Sequence, residues 1–373
     1  MKKTLIYKYF LGEASEEEIE SIFKWIEASE NNKQEFVKYK TAWAIADETN
    51  ENKLQDFIIV NKRVKLRRLK ITVSSYMKYA AILICIVSVI SLWIFDKHDF
   101  VIPEDAIVLE LKEGKVKIIY DNVSQDIENE EGDILGKQVS NKIAYQKNES
   151  SIEGAELVYH TLSVPFGKKF QLELSDGSSI TLNSGSSIKY PVQFIKGKTR
   201  EVFLKGEAYF KVSEDKENLF VVHTSKFDTQ VYGTEFNISS YENDAIHKVV
   251  LVSGSIGVQL ENTKDFRSEF VIKPNEMILI NGLGEFEKKQ VDVFNYIAWV
   301  EGVLVFQNEK FENIIKKLER HYDVSIENNY SAIRNNRYTG VFDVETIDDI
   351  LKTFAKHRYF TYVVQGDEIT INH

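Results

Sequence analysis

The sequence predicts a multidomain chain: a small all-α bundle, one transmembrane helix, an all-β domain, and a C-terminal α+β domain of duplicated β-α-β units. Three observations carry that expectation. Apolar residues recur at helical spacing near the N-terminus, and an uncharged run over residues 79–95 interrupts the chain. Beyond it the apolar period falls to two, and at the end a helix-like stripe occurs twice.

The first segment, 1–60, shows three helical patterns. Leu5, Ile6, Tyr9 and Phe10 mark a short one that ends at Gly12. Ser15 and Glu18 have the spacing of a capping box, in which each side chain answers the other's backbone N–H. Ile19, Ile22, Phe23 and Ile26 follow as one apolar stripe, and a third helix carries Phe36, Tyr39 and Trp43. Trp25 falls off its helix's stripe. So many aromatics on so short a segment suit both a packed core and a surface that awaits a partner, where aromatics are enriched.

A basic linker, 61–78, precedes the run Tyr79–Phe95, which is at the short end of the roughly 17–25 residues that a spanning helix needs. Lys62, Arg63, Lys65, Arg67, Arg68, Lys70 and Lys78 lie before it, while Asp96, Asp99, Glu104 and Asp105 follow. Such asymmetry places the N-terminus in the cytoplasm and the remainder outside, a single pass through the inner membrane.

Residues 96–158 are more polar and read as a spacer with some strand content, whose fold the sequence does not place. From 159 to 291 short alternating strands recur, as in Phe170, Leu172 and Leu174, with Asp176-Gly177 as a hairpin turn before Ile180 and Leu182. The C-terminal segment, 297–373, repeats itself. The stripe Phe311, Ile314, Ile315, Leu318 recurs as Ile347, Ile350, Leu351, Phe354, offset by 36 residues, which also pairs Phe306 with Phe342 and His321 with His357. Two helices on one face of a small sheet would bury both stripes, and the two histidines would serve as cations at helix C-termini.

Composition narrows the function. A net charge of −10 argues against direct nucleic-acid binding, and Cys85 as the one cysteine excludes a disulfide within the chain. The seven histidines have no metal-ligand spacing, no catalytic motif is present, and no enzyme activity or cofactor is expected. One spot is chemically suggestive: the hydroxyl of Thr234 could attack the carbonyl of Gly233, a self-cleavage through an ester.

Several phrases then occur in order: Tyr9-Phe-Leu-Gly-Glu-Ala-Ser-Glu-Glu-Glu18, Leu174-Ser-Asp-Gly-Ser178, Leu182-Asn-Ser-Gly-Ser-Ser187, Tyr190-Pro191, Gly206-Glu-Ala-Tyr-Phe210, Val231-Tyr-Gly-Thr-Glu-Phe-Asn237, Val252-Ser-Gly-Ser255 and Ala298-Trp-Val-Glu-Gly-Val-Leu-Val-Phe306. Together they resemble the FecR family of membrane-spanning sigma-factor regulators, in the form common in Bacteroidetes. The C-terminal domain resembles the short signalling domain of secretins and TonB-dependent receptors. Pro274-Asn-Glu276 and Pro165-Phe-Gly167 depart from the family's usual turns.

The resemblance implies an anti-sigma factor in a relay. The signalling domain of an outer-membrane TonB-dependent transporter would pass a signal to the exported part, and the cytoplasmic helices would release an extracytoplasmic-function sigma factor. Sigma contacts are expected at Tyr9, Leu11, Ile22, Trp25, Ile26, Tyr39 and Trp43, and scission at Gly233-Thr234. The rival reading is a membrane-anchored periplasmic scaffold or glycan-binding module.

Overall fold

The computed structural model describes residues 3–11, 13–45, 102–120, 123–129, 131–147, 157–260 and 271–373. The chain divides into two compact units, Met1–Asp99 and Phe100–His373.

The described part of the first unit is helical: α1 (Lys3–Leu11), α2 (Glu16–Glu27) and α3 (Glu30–Ile45). The capping box forms. Ser15 Oγ accepts from the Glu18 N–H at 3.3 Å, and Glu18 accepts from the Ser15 N–H at 2.9 Å. Three acidic residues in the first turn of α2 suit the helix dipole. Ile6 and Ile22 are fully buried, and Tyr39 packs with Ile6 against Tyr7, Phe10, Trp25 and Phe36. Tyr9 contacts the rings of Phe10, Phe23 and Phe36 at centroid distances of 5.8, 6.1 and 6.0 Å.

The second unit opens with an 18-stranded β structure of two sheets that share one strand. Its strands are β1 (Ile107–Glu110), β2 (Val116–Ile119), β3 (Ser124–Glu128), β4 (Ile134–Val139), β5 (Lys142–Tyr145), β6 (Tyr159–Val164), β7 (Phe170–Glu173), β8 (Ser179–Leu182), β9 (Ser186–Pro191), β10 (Arg200–Lys211), β11 (Phe220–His223), β12 (Phe227–Val231), β13 (Glu235–Ser240), β14 (Ile246–Ser253), β15 (Ile256–Leu260), β16 (Val271–Ile272), β17 (Glu276–Asn281) and β18 (Phe286–Gln290). The first half of β10 pairs with β9 and β11, and its second half with β8 and β13. Alternating residues from both sheets meet in one core that includes Phe170, Tyr190, Phe210, Phe220, Phe227 and Phe236. The expected hairpin forms at Asp176-Gly177, and Asp176 also receives Arg200 Nη1 at 2.7 Å.

The C-terminal part follows a short helix, α4 (Phe294–Ile297). It runs β19 (Leu304–Lys310), α5 (Phe311–Tyr322), β20 (Ser325–Asn328), β21 (Arg337–Phe342), α6 (Ile347–Arg358), β22 (Thr361–Gln365) and β23 (Glu368–Asn372). Both helical stripes face its core, and the repeat-related rings of Phe306 and Phe342 lie 5.8 Å apart.

The structure corrects the expected architecture in three respects. The chain is a short helical region followed by a mostly β molecule, and no helix among the described residues is long and apolar enough to cross a membrane. The run 79–95, on which that helix was expected, lies outside the described residues. Next, the strand content expected in 96–158 does not make a spacer: 107–145 supplies five strands of the β structure, β1 pairs with β6, β5 pairs with β7, and Ile107, Leu109, Ile127 and Ile143 enter the common core. Finally, the repeat does not build one small sheet. The first strands of the two copies pair with each other, β19 with β21, whereas β20 and β22 flank β23 in a separate sheet. Strands sort by their place in the repeat, and β23, which belongs to neither copy, joins the second set.

A buried polar trio ties the added strands to the body. Tyr145 on β5 lies 2.7 Å from His160 Nδ1 on β6 and 3.0 Å from the Tyr190 hydroxyl on β9. Burial lowers the pKa of His160 from 6.5 to about 4, so the fold holds the imidazole neutral. A lowered histidine pKa means the stability is fully present above pH 6.5 and is lost as pH falls toward 4. By pH 4 the loss should reach roughly 3 kcal/mol. The thermal midpoint should fall over that window, and His160→Phe should flatten the fall; an equal slope in both proteins would contradict this.

Candidate functional site

The helical unit holds the residues expected to contact a partner. Ile22 and Tyr39 are buried in its core and offer no free surface. Tyr9, Trp25 and Ile26 are half-buried, and Leu11 is 39% exposed. Trp43 lies on α3, but its side chain is outside the described residues. Phe23 is 46% exposed although its spacing put it on the buried stripe, so the free apolar rim is Leu11, Tyr9, Phe23, Trp25 and Ile26 rather than the full expected set. The shift has a plain cause. Three short helices can enclose only a narrow stripe, and the aromatics beyond it are left at the margin.

Within the second unit, the C-terminal part meets the β structure through a polar joint. Arg320, near the end of α5, is only 7% exposed. Its guanidinium donates to both carboxylate oxygens of Asp244, at 3.1 and 3.2 Å, and lies 3.8 Å from the centre of the Tyr241 ring. Asp244 sits in the β13–β14 turn, so the planar fork of arginine fixes α5 on that turn in one orientation. The Arg320 carbonyl accepts from the Gly167 N–H at 2.8 Å, and Lys316 donates to the Asn243 carbonyl. A second chain of contacts runs beside it. The Trp299 indole donates to Asn237 Oδ1 at 3.2 Å, Asn237 donates to Glu207 at 3.0 Å, and Asn183 donates to the other Glu207 oxygen at 2.8 Å. Lys169 donates to the Trp299 carbonyl at 2.5 Å.

Burial sets the charges of this joint. It lowers the pKa of Lys169, an effect that Glu301 opposes, and it lowers His321, which the Lys169 cation lowers further. His321 is therefore not the dipole-complementing cation expected at the end of its helix. Burial also lowers Lys248, assisted by Lys317. For Glu309 burial works upward, yet the charges of Lys317 and Lys248 outweigh it and hold the carboxyl at about 2. The joint encloses a cavity of about 80 Å³ lined by Glu207, Lys248, Trp299, Arg320 and His321 among others. Its groups suit orientation and recognition. Among the described residues no cluster of His, Cys, Asp or Glu is placed to hold a metal ion.

Gly233 and Thr234 lie between β12 and β13. Thr234 is buried, and its hydroxyl donates to the Ser255 carbonyl at 3.1 Å. Gly254 has φ +94°, and a Cβ there would stand 2.8 Å from Thr234 Oγ1 and 3.0 Å from the Gly233 oxygen. Only glycine allows so close an approach. The hydroxyl hydrogen thus points at a neutral carbonyl, and Gly233 keeps a φ outside the left-handed region. The linkage is sterically enclosed.

Sequence reasoning did not single out the joint. A signal was nonetheless present: Asn183, Glu207, Asn237 and Trp299 all fall within the ordered phrases quoted above, separated by long stretches of chain. Arg320 and Asp244 carried none, because each reads as an exposed charge until the fold brings them together.

Known proteins resemble part of this chain. Residues 160–277 match the family described as FecR protein, and residues 303–371 match the one described as FecR, C-terminal. Two crystal structures of a candidate anti-sigma factor from Parabacteroides distasonis are similar to this chain. One, at 2.50 Å resolution, is 28% identical with a TM-score of 0.53, over 57% of this chain and 98% of that one. The other, at 1.65 Å, is 28% identical with a TM-score of 0.52, over 57% and 97%. No curated protein matches the chain. The chain therefore carries FecR-family domains, and the matches support an anti-sigma, regulatory role.

Removing Asp244 leaves a buried cation without its counter-charge. Asp244→Ala should cost about 2–3 kcal/mol of unfolding free energy, and Arg320→Met distinctly less, since an apolar isostere removes the charge with the need for a partner. Denaturant midpoints check this; equal losses would show that packing, not the unpaired charge, governs the joint.

Proposed function

We propose that this chain, bearing both FecR-family domains, is an anti-sigma factor whose N-terminal helices hold an extracytoplasmic-function sigma factor and whose C-terminal part takes its signal from a TonB-dependent transporter. The observation that carries the reading is the pairing of a FecR domain and its C-terminal companion with a helical unit that keeps an apolar rim open. Leu11, Phe23 and Trp25 can hold a helical or grooved protein surface without unfolding their own core. Ile22 and Tyr39 would act by supporting that rim, and Trp43 is retained as a contact by its place on α3.

Full-length chain should capture its sigma factor in co-purification. Phe23→Ala or Trp25→Ala should weaken capture by about tenfold, a loss of ~1.4 kcal/mol typical of a contact residue. The unfolding of the β structure should be unchanged in both. Failure to recover any sigma factor would refute the reading.

Scission between Gly233 and Thr234 belongs to the same reading. Thr234 Oγ would attack the Gly233 carbonyl carbon, the hydroxyl proton would pass to the Thr234 nitrogen as the amide bond breaks, and water would cleave the resulting ester. The enclosed geometry makes this slow in the resting state. Mass spectrometry should find a new N-terminus at Thr234 that Thr234→Ser keeps and Thr234→Ala loses. A chain that stays intact throughout would remove this step.

A further inference from the structure

Most exposed sheet edges among the described residues are defended. An open strand edge offers unpaired N–H and C=O groups to any other strand, and folded proteins blunt such edges with charges or by making them very short. Among the described strands, the outermost ones of the two large sheets include β2 with Lys117, β3 with Asp126 and Glu128, and β18 with Glu287, Lys288 and Lys289. In the C-terminal part β19 carries Glu309 and Lys310, β21 carries Arg337, and β20 carries Glu327.

Strand β22, Thr361-Tyr-Val-Val-Gln365, differs: over five residues it has no charge, no proline and no glycine. It pairs with β23 on one side and with no strand on the other. Val363 is 50% exposed and Val364 47%. The internal repeat sharpens the contrast. At the 36-residue offset β20 superposes on β22, and the charged Glu327 of the first copy corresponds to Val363 of the second. One copy keeps the protecting charge, and the other has lost it at the centre of the strand.

Backbone geometry says which groups are open. Gly366 and Asp367 form a two-residue loop, so Gln365 and Glu368 close the hairpin. Hydrogen-bonded and non-bonded pairs alternate in an antiparallel ladder. With the closing pair bonded, Thr361, Val363 and Gln365 point their backbone groups at β23, and Tyr362 and Val364 point theirs outward. We propose that β22 is a docking edge for a second copy of this chain, the two strands pairing antiparallel about a two-fold axis at Val363. The occupant follows from the strand itself. In that register Tyr362 of each copy faces Val364 of the other and Thr361 faces Gln365, so nothing charged meets its like. Each outward N–H finds a carbonyl, and the contact closes on itself as an isologous dimer must. Strand addition of this kind takes its affinity from main-chain hydrogen bonds.

Assembly of the full chain through β22 is independent of what the N-terminal helices bind. Wild-type protein should sediment as a dimer at micromolar concentration. Val363→Lys and Val363→Glu each bring like charges together at the axis and should weaken self-association about tenfold or more. A mixture of the two should dimerise again, because the axis then pairs opposite charges. Val364→Pro, which removes an outward N–H and spares the bonds to β23, should also give monomers with little change in thermal midpoint. A monomeric wild type would overturn the proposal and leave the edge to a strand from another protein. So would a Val363→Lys variant that dimerises like wild type, or a charge-mixed pair that stays apart.

Discussion

Strand β10 passes from one sheet into the other, and it can do so because residue 206 has no side chain. Gly206 holds φ +94°, and a Cβ there would lie 2.5 Å from Ser186 Oγ and 2.8 Å from Ser186 Cα. The close approach lets Ser186 Oγ accept from the Glu207 N–H at 2.8 Å. That bond fixes the residue whose carboxylate then gathers Asn183 and Asn237, and through Asn237 the Trp299 indole. The bend that joins the two sheets therefore also seats the C-terminal part. A side chain at 206 would disturb the core, and it would also move the anchor of a contact made nearly a hundred residues later in the chain.

The buried charges of the joint carry orientation more than stability. An apolar pair in place of Arg320 and Asp244 would be at least as stable, since desolvation consumes much of the attraction. What it would lack is direction. Two parallel N–H···O bonds and a guanidinium above the Tyr241 ring admit one rotation of α5 against the β13–β14 turn, whereas apolar side chains accept several. Glu309, Lys317 and Lys248 add a further set of charges that makes sense only when the two parts are together. A regulatory molecule that must present one defined face has more use for such a joint than for a greasier one.

Legibility in the sequence tracked the range of the interactions. The capping box at Ser15 and Glu18, the Asp176-Gly177 hairpin and the twin stripes of the C-terminal helices are local patterns, and each was readable because its partners lie within a few residues. The strands from 107 to 145 were not. Val116-Lys-Ile-Ile and Ser124-Gln-Asp-Ile-Glu bury only one face, so their polar residues masked them, and the pairings that join this segment to the body, β1 to β6 and β5 to β7, span distant parts of the chain. For the same reason the 36-residue repeat revealed two similar units and could not say that their strands would sort into different sheets. The joint was least legible of all. Arg320 has the ordinary sequence position of a solvated cation at a helix C-terminus, and only tertiary burial makes it otherwise.

Places where local rules are broken are then the informative ones. A sequence consistent at every level would bury Phe23, which sits on an apolar stripe, and would charge the edge of β22 as it charges the equivalent edge of β20. Neither departure is forced by packing. Ile22 and Tyr39 already fill the small helical core without Phe23, and the C-terminal core closes on Phe306, Phe311, Leu318 and Phe354 whatever stands at position 363. An exposed ring and an uncharged edge both invite aggregation. Contacts outside the chain, of the two kinds proposed above, would offset both. Within the second unit, the shared strand and the polar joint hold the C-terminal edge in a fixed pose.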